Sequence, residues 1–154
     1  MEKDANLYQQ ITDVCNEKLI YHWLFKNIFP EGYPYQSAVD FISLSEKGWE
    51  NESHFIFYIL HQIGQIAGTM GLKSNNINLC EIGYWFSEKH PGVATNAVGA
   101  LPKIAKAAGL KKLFAQTKEG NDKSVNVLVR NDFVEDLSYL KPESKCTRAF
   151  YFKL

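Results

Sequence analysis

Glu81-Ile82-Gly83-Tyr84-Trp85-Phe86 leads into Lys89-His90-Pro91-Gly92-Val93-Ala94-Thr95, and a long Ala-rich segment follows. An apolar strand that ends in a Gly-containing loop and opens a helix makes an anion site. The first N–H groups of the helix have no partner within it, and the helix dipole places positive potential there. Gly92 and Ala94 are small, so a phosphate can approach the main chain closely. Pro91 has no N–H, which removes one donor from the loop. Taken alone, Pro91-Gly92 also reads as a plain surface turn.

The neighbouring segments extend this reading. Upstream, Leu7, Ile11 and Val14 recur at helical spacing and predict an amphipathic helix over residues 6–18. An aromatic stretch broken by Pro and Gly follows, holding Tyr21, Trp23, Phe25, Phe29, Tyr33 and Tyr35. Ser37-x-x-Asp40 resembles a capping box with Asp in place of Glu or Gln. It precedes a second helical face of Ala38, Phe41, Ile42 and Trp49. Phe55–Leu60 reads as a strand, residues 61–64 as a turn, and 65–72 and 78–86 as two further strands of an antiparallel meander.

Downstream of the loop, the pattern predicts a helix over 93–108, a strand over 112–116 and a helix over 123–131. Two strands, over 133–140 and Arg148–Lys153, complete the chain. Gly99 and Pro102 fall inside the first of these helices. Pro102 cannot donate to the carbonyl of Val98, so a kink or local break is expected there. The order α-α-β-β-β-α-β-α-β-β implies one α+β (mixed α/β) domain over residues 1–154. Its central twisted sheet is mostly antiparallel and flanked by helices.

With 154 residues, 45% of them hydrophobic and 14% aromatic, the chain can bury one core. Its formal net charge of zero argues against nucleic acid or an anionic membrane as partner. Phe55–Leu60, the longest apolar run, is far too short to cross a bilayer. The first residues lack signal-peptide character, so a cytoplasmic location is expected. Cys15, Cys80 and Cys146 are odd in number and widely spaced; they read as reduced thiols, with no metal site.

Three motifs together carry a family resemblance. Lys89-x-x-Gly92-x-Ala94 resembles the acyl-CoA diphosphate loop of GNAT-superfamily N-acetyltransferases. Glu81-Ile82-Gly83-Tyr84-Trp85 before it, Ala94-Thr95 within it and Asn121-x-x-Ser124 after it resemble the branch that acetylates ribosomal-protein N-termini. The order of elements matches from about Phe55 onward, most of the chain. The resemblance implies acetyl-CoA as co-substrate. It also implies direct acetyl transfer, in a ternary complex, to a primary amine of a protein N-terminus or small molecule. The other reading is a non-catalytic relative that binds CoA or a protein. The family begins with a strand before its first helix. Here almost nothing lies upstream of Leu7, so either the sheet lacks that strand or a few initial residues pair. An incomplete sheet edge can also pair with a second copy, which makes a homodimer an expectation.

The resemblance assigns cofactor contacts to Trp85, Phe86, Lys89, His90, Gly92, Val93, Ala94, Thr95, Asn121 and Ser124. Lys89 stands where the family has Gln or Arg, and His90 where many members have Gly. A backbone N–H near Trp85–Phe86 would polarise the thioester carbonyl. For the general base, Glu81 shares a strand face with Gly83 and Trp85. An apolar wall there is expected to raise its pKa; a solvated edge residue is the alternative. Glu143, in the loop before the last strand, is a second candidate, with His54 and His61 behind it. Ser124 is the candidate acid for the departing thiolate, with Tyr139 and Tyr151 as weaker ones. Asn121 also reads as the helix N-cap, with Ser124 at its third helical position. The acceptor is expected against the aromatic stretch of residues 21–35.

Overall fold

A computed structural model describes residues 2–154, with side chains from residue 5 onward. Helix α1 (Glu2–Cys15) buries Ile11 and Val14 of the stripe its spacing predicts, with Cys15 beside them, while Leu7 is half-buried. A short α2 (Lys18–Ile20) runs directly into a π-helical turn, Tyr21–Phe25, closed by Lys26 N–H donating to Tyr21 C=O at 2.8 Å. This wide turn, unmarked in the sequence, sets Trp23 and Leu24 over the sheet. Helix α3 (Tyr35–Glu50) starts two residues before the expected Ser37 cap. Pro34 is its N-cap residue, in extended geometry, and no side chain caps the helix. Proline suits this boundary because it has no N–H to satisfy.

Strands β1 (Phe55–Leu60), β2 (Ile66–Leu72) and β3 (Cys80–Phe86) form the antiparallel meander read from the sequence. Helix α4 (Val93–Ala107), β4 (Lys112–Thr117), α5 (Asp122–Arg130), β5 (Val134–Glu135), a 3-10 turn (Leu137–Tyr139) and β6 (Arg148–Lys153) follow. The six strands form one sheet in the order β1-β2-β3-β4-β6-β5. Among the described residues only β3 and β4 pair in parallel. The penultimate strand is far shorter than the sequence suggests. Asp136 accepts from Ser138 N–H at 2.9 Å, and this local turn ends β5.

Each face of the sheet carries its own core. On one, Val98, Leu101 and Ala105 of α4 and Val125 and Leu128 of α5 pack on Met70, Ile82, Leu113 and Phe150. On the other, Ile11, Ala38 and Ile42 of the N-terminal helices pack with Ile66 and Trp85. With both faces covered, β2 is buried along its whole length. Gly68 within it has no room to grow: a Cβ there would lie 2.4 Å from Trp85 C=O.

Helix α4 runs unbroken through Pro102, so the expected break is absent. Packing of its flanking residues Val98, Leu101 and Ala105, each fully buried, outweighs the lost hydrogen bond. Among the described residues no strand precedes β1, which therefore lies at the sheet edge. The α3 terminus covers part of that edge. Trp49 Nε1 donates to Ile56 C=O at 3.0 Å, and its ring meets Phe55 and Phe57 edge-on.

Candidate active site

The register of the central strands opens the site. β3 and β4 pair only at Cys80–Leu113 and Glu81–Phe114, then part. β3 stays bonded to β2 as far as Phe86. Lys73 N–H donates to Glu81 C=O, and Ser87 N–H to Ala67 C=O. Odd-numbered β3 residues thus bond to β2, and the backbone groups of Ile82, Tyr84 and Phe86 face the gap. The amide expected to face a thioester near Trp85–Phe86 therefore belongs to Tyr84 or Phe86.

Two clefts meet across this gap. One, of about 820 Å³, is walled by Trp23, Phe25, Tyr33 and Phe41 and reaches Glu81, Lys73, Thr117 and Lys118. The other, of about 450 Å³, is lined by His90, Pro91, Gly92, Ala94 and Thr95, with Lys123 and Arg130 as its basic side chains. Trp23, Leu24, Tyr84, Trp85, Asn121 and Ser124 line both.

The loop of the second cleft has the geometry its sequence predicts. Gly92 is the N-cap residue of α4 at φ +85°, and a Cβ there would meet nothing within 4 Å. Val93 N–H donates to His90 C=O at 3.3 Å. Among the described residues the amides of Gly92, Ala94 and Thr95 have no protein partner, and they open the helix. Phe86, Trp85 and His90 line this cleft; His90 also stacks on His61 at 4.3 Å. Lys89 does not line it. Its side chain is 75% exposed and reaches Glu17 at 3.9 Å. Val93 also lies outside both linings.

At the junction, Asn121 Oδ1 accepts from Ser124 N–H at 3.3 Å, which makes it the N-cap of α5 as expected. Ser124 Oγ lies 2.9 Å from the Tyr84 hydroxyl. Burial raises the Tyr84 phenol to about 12, while the Ser124 contact opposes the rise. Tyr84 was not among the candidates read from the sequence. Its signal is its place on the strand, since its side chain points toward α5 while its amide faces the gap.

Glu81 corrects an expectation. It is buried, but both carboxylate oxygens are taken: Lys73 and Gln116 donate to Oε1 at 2.7 and 3.3 Å, and Lys141 donates to Oε2. Burial alone would raise its pKa. The hydrogen bonds from Lys141, Lys73 and Gln116 outweigh that, and the carboxyl sits below its ordinary value. Glu143 is exposed and lines neither cleft; Ser144 and Cys146, just beyond it, line the first. His54 lines the first cleft with Nε2 3.0 Å from Leu44 C=O, whereas His61 lines neither. Tyr139 and Tyr151 stack on each other beside Lys112, outside both clefts.

Residues 1–134 match the family model of the acetyltransferase (GNAT) domain. The chain belongs to the GNAT acetyltransferase family. The GNAT fold is equally clear in solved structures. Microcin C7 self-immunity acetyltransferase MccE, in complex with acetyl-CoA and AMP, superposes with a TM-score of 0.78 at 19% identity, over 100% of this chain and 89% of its own. The acetyltransferase from Salmonella typhimurium that modifies the N-terminal serine of ribosomal protein L7/L12 gives 0.76 at 13% identity, over 98% and 91%. Spermidine N-acetyltransferase from Vibrio cholerae, in complex with CoA and spermine, gives 0.73 at 18% identity, over 96% and 90%. No curated protein matches the chain significantly in sequence. This GNAT domain fits CoA on its own geometry. Three unpartnered loop amides, open space at Gly92 and free β3 backbone groups follow one another along the second cleft. Among the described residues no group of His, Cys, Asp and Glu could hold a metal, and no helix is long and apolar enough to cross a membrane.

Proposed function

We propose that this chain transfers an acetyl group from acetyl-CoA to a primary amine, by direct attack with both substrates bound. The observation that carries this reading is the parting of β3 from β4 directly before the amide cradle at Gly92–Thr95. The co-substrate supplies an activated thioester. The loop amides and the α4 dipole hold its diphosphate, with Lys123 and Arg130 adding positive charge. The free backbone groups of Tyr84 and Phe86 pair with its pantetheine arm as an added strand would. The N–H of Tyr84 or Phe86 polarises the carbonyl.

Ser124 gives the proton that the departing thiolate takes and regains it from solvent; Tyr84, whose hydroxyl donates to the Ser124 C=O at 3.1 Å and lies 2.9 Å from its Oγ, holds that serine in place. Glu81 acts as a counter-ion for its lysines rather than as base, and the amine sheds its proton to water in the first cleft. The aromatic wall of that cleft positions the acceptor, a protein N-terminus or small amine of the cytoplasm.

Acetyl-CoA is expected to raise the thermal midpoint of the chain, and Gly92→Asp, which sets a negative charge at the diphosphate, is expected to abolish the rise. No rise at millimolar acetyl-CoA overturns the reading. The locked Glu81 and the missing donor at Pro91 favour a second reading, a non-catalytic CoA-binding relative. A CoA-induced rise with no turnover on any amine of a broad panel selects it.

A further inference from the structure

We infer that the acceptor is an extended peptide bearing a carboxylate about 10 Å from its reacting amine, and that Lys73 and Lys141 receive that carboxylate. The inference rests on the acetyltransferase reading and names the acceptor class of the same cleft. Lys73 enters from the end of β2 and Lys141 from the segment before β6, and both donate to the buried Glu81. Each ammonium has three N–H donors and gives one to Glu81. Their side chains remain 54% and 56% exposed, so the other donors face open space.

Lys73, Lys118 and Glu81 line the cleft, and Lys141 borders it through its bond to Glu81; these three lysines against one glutamate leave a local charge of +2 in a molecule of zero net charge. Such a wall attracts an anion and repels a polycation. Glu81 holds the two ammonium groups in place and leaves no oxygen free for an incoming amine.

The distance follows from the strand. Glu81 marks the last paired position of β3 with β4, and Tyr84, bonded to Ser124, lies three residues farther along the gap. At ~3.3 Å per residue the strand sets Glu81, where the lysine pair gathers, and Tyr84 about 10 Å apart. An α-amino acid is too short to span this, whereas a chain of about three residues spans it. A separate feature also fits a peptide. Among the described residues Thr117 Oγ1 is buried without a partner, and Thr117 lines the cleft. A backbone amide of the acceptor would satisfy it.

The test uses the full chain with acetyl-CoA and four tripeptide amides ending in Glu, Gln, Lys or Ala, plus the Ala tripeptide with a free C-terminus. The Glu peptide is expected to exceed the Gln peptide about tenfold in kcat/KM, with the Lys peptide poorest. Preference for the side-chain acid points to protein N-termini with an acidic third residue; preference for the free C-terminus points to short free peptides. Either upholds the inference, and equal rates across the series overturn it.

Lys73→Met with Lys141→Met is expected to reduce the preference to within about twofold. Because that variant strands a buried carboxylate, the triple variant with Glu81→Gln serves beside it and is expected to behave alike. Glu81→Gln alone is expected to strengthen the preference. A preference unchanged in the triple variant overturns the assignment. Binding of the same peptides to the CoA complex, read by Trp fluorescence, separates the two readings. Acid-selective binding without turnover keeps the lysine site and overturns the enzymatic reading. Unselective binding overturns the site whatever the turnover.

Discussion

Gly92 has a left-handed backbone and empty space where its Cβ would be, so a substitution there tests strain without collision. Gly92→Asn is expected to lose less stability than Gly92→Val, whose β-branched side chain meets a penalty of roughly 1–3 kcal/mol at positive φ. Urea denaturation of the two variants checks the order. Glu81 gives a second prediction. Its folded pKa lies below its ordinary 4.5, so its ionised form contributes stability above that value. The contribution is lost as pH falls through the lowered pKa. The stability gap between the wild type and Glu81→Gln is therefore expected to be largest above pH 4.5 and to close on acidification, as acid titration of the unfolding midpoint reads directly. The position of Glu81 at a strand start was legible in the sequence; its titration was not. Lys73 and Lys141 stand 8 and 60 residues away, and only the folded sheet brings both to it.

Helix α4 carries two residues that helix propensity alone treats as faults, and packing separates them. Pro102 forfeits one backbone hydrogen bond in a helix that runs on regardless. Pro102→Ala is expected to raise stability by an amount on the order of 1–3 kcal/mol. Gly99 faces Asn131, whose side-chain amide donates to Thr95 C=O at 3.0 Å and Val127 C=O at 2.9 Å, tying α4 to α5. A Cβ at Gly99 would lie 2.5 Å from Asn131 Oδ1, so Gly99→Ala is expected to destabilise despite its better propensity. Thermal melts of the pair should move in opposite directions. Sequence patterning worked where periodicity was long: β1 has the bounds its apolar run predicts, and the two late helices begin or end within a residue or two. It failed where local side-chain bonds intervene. The turn at Asp136 cuts short a stretch whose apolar and polar residues look like a strand, and Pro34 starts α3 before the Ser37 signal.

Buried ionisable groups govern the whole molecule at the alkaline end. Burial raises Cys15 in α1 from 9.0 to about 12 and Tyr84 in β3 from 10.0 to about 12. Both stay protonated in the folded chain, while the unfolded chain releases their protons earlier. Their stabilising contribution is whole below pH 9.0 and is lost progressively as pH rises toward about 12. Denaturation midpoints are expected to fall across that window, and Cys15→Ala with Tyr84→Phe should lessen the fall, the buried Tyr33 and Tyr58 phenols, also raised, supplying the rest. Catalysis is expected to move the other way at moderate pH: with subsaturating amine the rate should climb until the acceptor is deprotonated, near pH ~8 for an α-amino group.

The indole of Trp49 has a role beyond its own helix. A bare outer strand offers a template on which chains stack, and this one is stoppered at Ile56 by a donor from the same polypeptide. Trp49→Phe keeps the ring and frees the carbonyl. That variant should cluster as its concentration rises, visible as growing light scattering, while the parent protein remains dispersed.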